Sequence, residues 1–325
     1  SLRRQRQMCI RDRSKEEFLA EYWQKKPLLI KHAIPNFISP LSPDELAGLS
    51  CEEEFESRVV KGSTQRNDWS LENGPFKDDY FESMPLNNWT LLIQGVDKHI
   101  FEVYKMIEEF DFIPRWRFDD VMISFAAKGG SVGPHFDHYD VFLLQGLGRR
   151  QWQISSLDCN PNNYVKNSQL RIMESFQEED TFIAEPGDIL YVPPGIAHHG
   201  TSLDSECITL SFGYRSYSVN EMMEALDLSP QKRNNDYYID PSWLKDLGKS
   251  EIPNSAVNQA LKLLNIDQLP TEFFGCFVTR LDLFAQQKFN EMMAFEESIE
   301  IEESASYILS PICRIAYQKL SLIHI

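Results

Sequence analysis

The sequence predicts a mostly β core, a sandwich or small barrel, with helices before and after it. Three observations carry that prediction. Between about 116 and 216, short apolar or alternating runs (DDVMISFAA, YDVFLLQG, RQWQISS, TFIAEPGDILYVPP, CITLSFGYRS) are separated by Gly, Pro and Asn turn signals. Outside that region, in HIFEVYKMIEEF, SVNEMMEALDL and SAVNQALKLLNI, apolar residues fall at helical i, i+3, i+4 spacing. Finally, 325 residues at 42% apolar composition suffice for one large domain and a smaller one or two.

The elements follow in order. Residues 1–13, SLRRQRQMCIRDR, are basic and aperiodic in an acidic chain and read as a foreign tail. Ser14 followed by Glu17 predicts a capped helix through FLAEYWQ, then a strand in PLLIKHAI. Ser42-Pro43-Asp44-Glu45 opens a second helix, DWSLENGPF reads as hairpin-like, WTLLIQGV as a strand and HIFEVYKMIEEF as a helix. With the β region these make one domain over 14–216, its barrel core at about 116–216. Residues 217–290 turn helical, and NSAVNQALKLL with the Phe-rich TEFFGCFVTRLDLFAQQKF reads as paired amphipathic helices. Such faces pack against the barrel or form a dimer interface. Residues 291–325 hold a solvated acidic linker, FEESIEIEES, and a truncated-looking C-terminal region whose closing SLIHI lacks a stop signal for the helix it would follow.

Charge and composition narrow the function classes. A net charge of −17 opposes direct nucleic-acid binding; it steers a basic protein partner inward, or simply keeps the chain soluble. No apolar run approaches the roughly 20 residues that span a bilayer, and the start lacks signal-peptide order, so a cytoplasmic location and no membrane contact are expected. Six cysteines without a CxxC pair suit a reducing compartment.

The chemistry concentrates in two blocks. In GGSVGPHFDHYDVFLLQGLGRR, residues 129–150, His135 and Asp137 stand two apart and present an imidazole and a carboxylate on one side of a strand. Alone this pair is cheap, and a surface ion pair explains it. In EPGDILYVPPGIAHHG, residues 185–200, Gly187, Pro193 and Gly195 set a tight turn that delivers His198. His135, Asp137 and His198 together are the donor set of the two-His-one-carboxylate facial triad, which leaves positions open on Fe(II). Zinc is the rival ion, but the HExxH helix that usually carries it is absent. His199 should face the opposite way from His198 and is only a fallback ligand.

These blocks resemble the two cupin motifs. From about Tyr22 through Arg215 the chain resembles the JmjC-type 2-oxoglutarate oxygenases, in particular the bacterial ribosomal oxygenases that hydroxylate an arginine of large-subunit ribosomal protein L sixteen. GPHFDHYDVFLLQGLGRRQW and PGDILYVPPGIAHHG carry the likeness. Two departures stand out: His138 and His199 occupy positions where other polar residues are expected, and the chain stops before a C-terminal winged-helix region. The resemblance implies a double-stranded β-helix (cupin or jelly-roll, JmjC) with flanking helices and a C-terminal helical segment. It also implies Fe(II) held by His135, Asp137 and His198, with 2-oxoglutarate and O2 consumed, succinate and CO2 released, and hydroxylation at an arginine β-carbon (C3).

A dicarboxylate cosubstrate needs an anchor beyond the metal, and a planar guanidinium grips a carboxylate bidentately. RQWQI alternates so that Arg150, Trp152 and Ile154 share a face while Arg149 points to solvent, and the resemblance puts Arg150 in the pocket. Asp120, Met122 and Ser124 likewise share one face of DDVMISFAA. The resemblance marks Ser124 as a hydroxyl donor to the cosubstrate and Met122 as its apolar wall. Thr209 and Ser211 supply another polar contact, or belong to a plain core strand. For an arginine substrate, Asp120 receives the guanidinium, unless it caps the strand end, and Tyr139 flanks the aliphatic stem. Rival readings keep a JmjC hydroxylase but change its target to histidine or another side chain, or make the protein a non-catalytic metal-binding cupin sensor. Arg150 with Ser124 argues against the sensor, and no aromatic cage for methyl-lysine is evident.

Overall fold

The computed structural model describes residues 14–65, 68–166, 168–228, 236–242, 250–270, 272–281, 286–287, 290, 310–318 and 321–323. The expected tail at 1–13 and the acidic linker FEESIEIEES lie outside the described residues. The chain divides into two units, Ser1–Phe110 with Phe118–Ser216, and Asp111–Arg117 with Tyr217–Ile325.

In the first unit, Ser14 caps helix α1 (Lys15–Glu21), its hydroxyl accepting the Glu17 N–H at 3.1 Å. Strand β1 (Leu28–Ile30) leads to α2 (Pro43–Leu49), which Ser42 and Glu45 close with a capping box. Strands β2 (Ser57–Lys61), β3 (Ser70–Asn73) and β4 (Trp89–Ile93) precede α3 (Phe101–Met106), which tightens into a 3-10 turn over Ile107–Phe110. Eight more strands follow: β5 (Phe118–Ala126), β6 (His135–Phe136), β7 (Asp140–Leu147), β8 (Arg150–Ser155), β9 (Asp180–Ala184), β10 (Ile189–Val192), β11 (Ala197–Ser202) and β12 (Cys207–Tyr214).

They form an eight-stranded sheet, β1-β10-β7-β12-β5-β4-β2-β3, and a four-stranded one, β6-β11-β8-β9, with antiparallel pairings throughout. This is the double-stranded β-helix. The larger sheet reaches well beyond 116–216, because β1 extends one edge and β2 to β4 the other. Its faces bury different partners. Phe142, Tyr191 and Phe212 pack with Phe18 and Phe110 on the helix side, with ring centroids 4.6–5.7 Å apart. Val141, Leu143, Leu190 and Val192 face inward onto Trp152, Ile154 and Ala184 of the smaller sheet. Burial on both faces is why β7 reads as a continuous apolar run instead of alternating.

The second unit holds α4 (Val219–Ala225), α5 (Asn254–Leu264) and α6 (Phe273–Thr279). Their apolar faces close around Trp116, Tyr217 and Tyr238. An antiparallel pair, β13 (Ala316–Gln318) with β14 (Ser321–Ile323), stands where the sequence suggests a helix running into the final SLIHI. Two short runs close together in sequence satisfy each other's backbone groups, whereas a helix of so few residues is not self-supporting.

Candidate active site

Strand β6 pairs with β11 so that His135 lies directly opposite His198, and directly opposed residues of an antiparallel pair share a face. The two imidazole centroids are 4.3 Å apart. Asp137, one residue past the end of β6, brings Oδ2 to 3.7 Å from His135 Nε2 and 3.8 Å from His198 Nε2. The three ligand atoms lie within 4.8 Å of one another. Each ring is oriented from behind: His135 Nδ1 lies 3.0 Å from the Gly133 carbonyl and His198 Nδ1 3.4 Å from that of Ile196. With the proton on Nδ1, both Nε2 lone pairs point to the shared centre. Burial, then the charge of His135, pulls the His198 pKa down to about 4, so this ring is neutral at physiological pH, as a ligand must be.

Glycines fix the turns that carry these ligands. Gly133 has φ +81, and a Cβ there would lie 2.9 Å from Ile172 side-chain atoms. Gly195, φ +75, donates its N–H to the Asp137 carbonyl at 2.7 Å and ties the Pro-Gly turn to the carboxylate ligand. Two imidazole nitrogens, one carboxylate and their carbonyl backing fit a divalent iron.

Arg150 is 3% exposed, and its Nε and Nη2 have no hydrogen-bond partner. These are the two donors along one edge of the guanidinium, the edge that takes a carboxylate bidentately. A buried guanidinium edge with nothing to hold fits a dicarboxylate cosubstrate. Its carbon lies 5.5 Å from the Trp152 ring, which in turn lies 5.9 Å from the His198 ring, so anchor, indole and metal ligand follow one another along one inward face. Arg149 turns outward and pairs with Asp204 at 2.8 Å. On the opposite wall Ser124 pairs across the sheet with Thr209, and Met122 with Ser211. Ser124 Oγ donates to the Thr209 carbonyl at 3.4 Å, and Thr209 Oγ1 to Gln145 Oε1 at 3.2 Å.

Asp120 is not a bare strand end. Its Oδ2 accepts from Gln94 Nε2 at 2.7 Å and from the Gly95 N–H at 2.9 Å, while burial and the charge of Asp119 raise its pKa to about 6. Gln94 also accepts from Arg58 Nη2 at 3.3 Å, and the same nitrogen lies 3.9 Å from Met122 Sδ. Sequence reading missed Gln94 and Arg58; the only signal was Gln94 two residues past Leu92, on the same face. Tyr139 is 40% exposed, and its hydroxyl, bonded to the Asp137 carboxylate, is held well above its ordinary pKa by that negative charge. His199 faces away from the triad, with Nε2 3.5 Å from the hydroxyls of both Thr64 and Thr201. His138 lies edge-on to Phe136 at 5.6 Å.

A double-stranded β-helix with two histidines and a carboxylate inside, beside an unpaired guanidinium, defines a JmjC-type oxygenase site. A sequence profile described as the JmjC domain matches residues 105–222. The chain is 35% identical over 270 residues to the ribosomal protein uL16 3-hydroxylase of Escherichia coli K12, an alignment spanning 81% of this chain and 71% of that protein. With the probable ribosomal oxygenase of Haemophilus influenzae it shares 36% identity over 212 residues, 65% of this chain and 52% of that one. The Escherichia coli ribosomal oxygenase YcfD in complex with cobalt and 2-oxoglutarate superposes with a TM-score of 0.60 at 33% identity, covering 81% of this chain and 70% of YcfD. The chain belongs to the JmjC-domain family of ribosomal oxygenases.

Proposed function

We propose that the protein is an Fe(II)- and 2-oxoglutarate-dependent hydroxylase of a large-subunit ribosomal protein, acting at the β-carbon of an arginine. The observation that carries this reading is the buried, unpaired donor edge of Arg150 on the face that bears the triad. A metal-binding sensor has no use for it. The relative named a ribosomal protein uL16 3-hydroxylase, and the cobalt and 2-oxoglutarate complex of YcfD, support the same chemistry.

In this reading His135, Asp137 and His198 would hold iron, and Arg150 grips the distal carboxylate of 2-oxoglutarate. When bound, the iron and the keto acid supply the oxidising power of O2: one oxygen atom goes to the substrate C–H and the other into succinate, with CO2 lost. The protein's own residues bind, orient and keep the site dry. Ser124, Thr209 and Ser211 offer polar contacts to the cosubstrate, and Met122 and Leu143 exclude water. Asp120, steadied by Gln94 and Gly95, receives the substrate guanidinium, and Tyr139 flanks its aliphatic stem. A net charge of −17 favours a basic ribosomal protein over nucleic acid. A cytoplasmic location and a homodimer built through the second unit complete the proposal; light scattering of the purified protein tests the dimer.

The test is anaerobic loading with Fe(II) and 2-oxoglutarate, then air and an arginine-bearing peptide of the ribosomal protein. Succinate and a one-oxygen mass gain, both lost in His135→Ala, support the reading. Succinate without a gain on that peptide, but with one on a histidine-bearing peptide, moves the target; no succinate from metal-loaded protein overturns the hydroxylase.

A further inference from the structure

We propose that Trp152 is a cosubstrate-positioning residue whose indole N–H donates to the distal carboxylate gripped by Arg150. This rests on the 2-oxoglutarate dependence proposed above. Trp152 is 5% exposed, and its Nε1 has no hydrogen-bond partner. A buried indole N–H ordinarily finds an acceptor, and leaving one unmade carries a penalty. Packing among Val141, Leu143, Ile154 and Leu190 accounts for the ring but gives its N–H no acceptor.

The register explains where that donor points. Trp152 lies opposite Gly200 of β11. A Cβ on Gly200 would lie 2.5, 2.7 and 2.8 Å from indole Cζ3, Cη2 and Cε3. The benzene edge of the indole therefore rests on the bare glycine backbone, and the edge bearing Nε1 is turned away from it. The ring is a floor between two fixed points, 5.5 Å from the Arg150 guanidinium carbon and 5.9 Å from the His198 ring. A dicarboxylate held at one end by the metal ligands and at the other by Arg150 lies along this floor. Its distal carboxylate offers about four lone-pair directions, of which the Nε and Nη2 edge of Arg150 takes two. The indole N–H takes a third.

Trp152→Phe keeps a six-membered aromatic ring and deletes the donor together with the pyrrole half of the indole, so the comparison of two ligands separates the lost donor from the lost volume. Calorimetry on protein loaded with redox-inert Zn(II) should show 2-oxoglutarate binding weakened roughly tenfold or more. Binding of 2-oxopentanoate, which keeps the keto-acid head but lacks the distal carboxylate, should not change. Equal losses for both ligands, or no loss for 2-oxoglutarate, overturn the assignment. Should Trp152→Phe melt too low to assay, the indole resonances of the wild type decide. In the wild type, one of the six tryptophan indole N–H resonances should move on adding 2-oxoglutarate and stay put with 2-oxopentanoate; six unmoved resonances in a protein that binds 2-oxoglutarate overturn it too. A wild type that binds no 2-oxoglutarate removes the cosubstrate reading itself, and the inference with it.

Discussion

Arg150→Met should push stability and ligand binding in opposite directions. Without cosubstrate the Arg150 guanidinium is a buried cation whose Nε and Nη2 lack partners, compensated in part by the Trp152 ring at 5.5 Å. Burying an unpaired ion costs several kcal/mol, and a desolvated cation–π contact returns about 2 kcal/mol of it. Methionine keeps much of the aliphatic stem and leaves little cavity, so the substitution should stabilise the ligand-free protein by about 1–3 kcal/mol. At roughly 2–4 °C per kcal/mol for a domain of this size, the melting temperature rises by about 2–12 °C. The same change deletes two charge-assisted hydrogen bonds to the distal carboxylate, each worth ~1.5–3 kcal/mol, and weakens 2-oxoglutarate at least about a hundredfold. Thermal melting of Zn(II)-loaded protein with and without 2-oxoglutarate reads both effects. A variant that melts lower without ligand and still gains as much from 2-oxoglutarate as the wild type would mean that Arg150 neither strains the ligand-free fold nor anchors the cosubstrate.

The remaining predictions concern the supports of the site. Asp97, buried and raised to about 7 by desolvation and then by Asp120, is held above its ordinary 3.8 in the fold, so it favours folding at low pH and loses that contribution as pH rises towards 7. Asp97→Asn keeps an acceptor for the Val121 N–H, now at 2.7 Å, and should flatten the fall in stability between about pH 4 and 7, by about 2–4 kcal/mol in denaturant titrations at pH 8; an unchanged profile contradicts this. Gly133→Ala strains a φ of +81 and drives a Cβ against Ile172, so His135 loses its backing and Fe(II) affinity should drop at least about tenfold by competition with a chelator. Asp120→Ala should weaken capture of the arginine peptide at least about tenfold, measured by anisotropy against a citrulline peptide; equal binding of the two peptides by the wild type removes the residue's role.

Much of the site could be read before the fold, because its chemistry is local. His135 and Asp137 are two residues apart and the Pro-Gly turn lies just before His198, so short-range spacing and turn chemistry pointed to them, although β6 ends at Phe136 and Asp137 stands one residue past the strand that the sequence expected to carry both. Arg150 and Ser124 followed from alternation on their own strands, with the resemblance supplying their roles. What stayed hidden depends on pairings far apart in sequence. Nothing near WTLLI says that it lies beside β5, and so Gln94 reaching Asp120 was invisible. Gly200 reads as a loop glycine until its register against Trp152 is known. A break in the β5–β12 register between Phe212 and Tyr214 also upsets period two at the Asp119–Asp120 end, where alternation was weakest as a guide. The C-terminal hairpin was lost for a similar reason, since each run is too short to show a period.

The most direct test of the central claim is tandem mass spectrometry of the ribosomal peptide after turnover under isotopically heavy O2, with succinate measured in the same sample. One heavy oxygen atom is expected on the arginine β-carbon, in step with succinate release. Heavy oxygen confined to succinate, with the arginine unmodified, would contradict it.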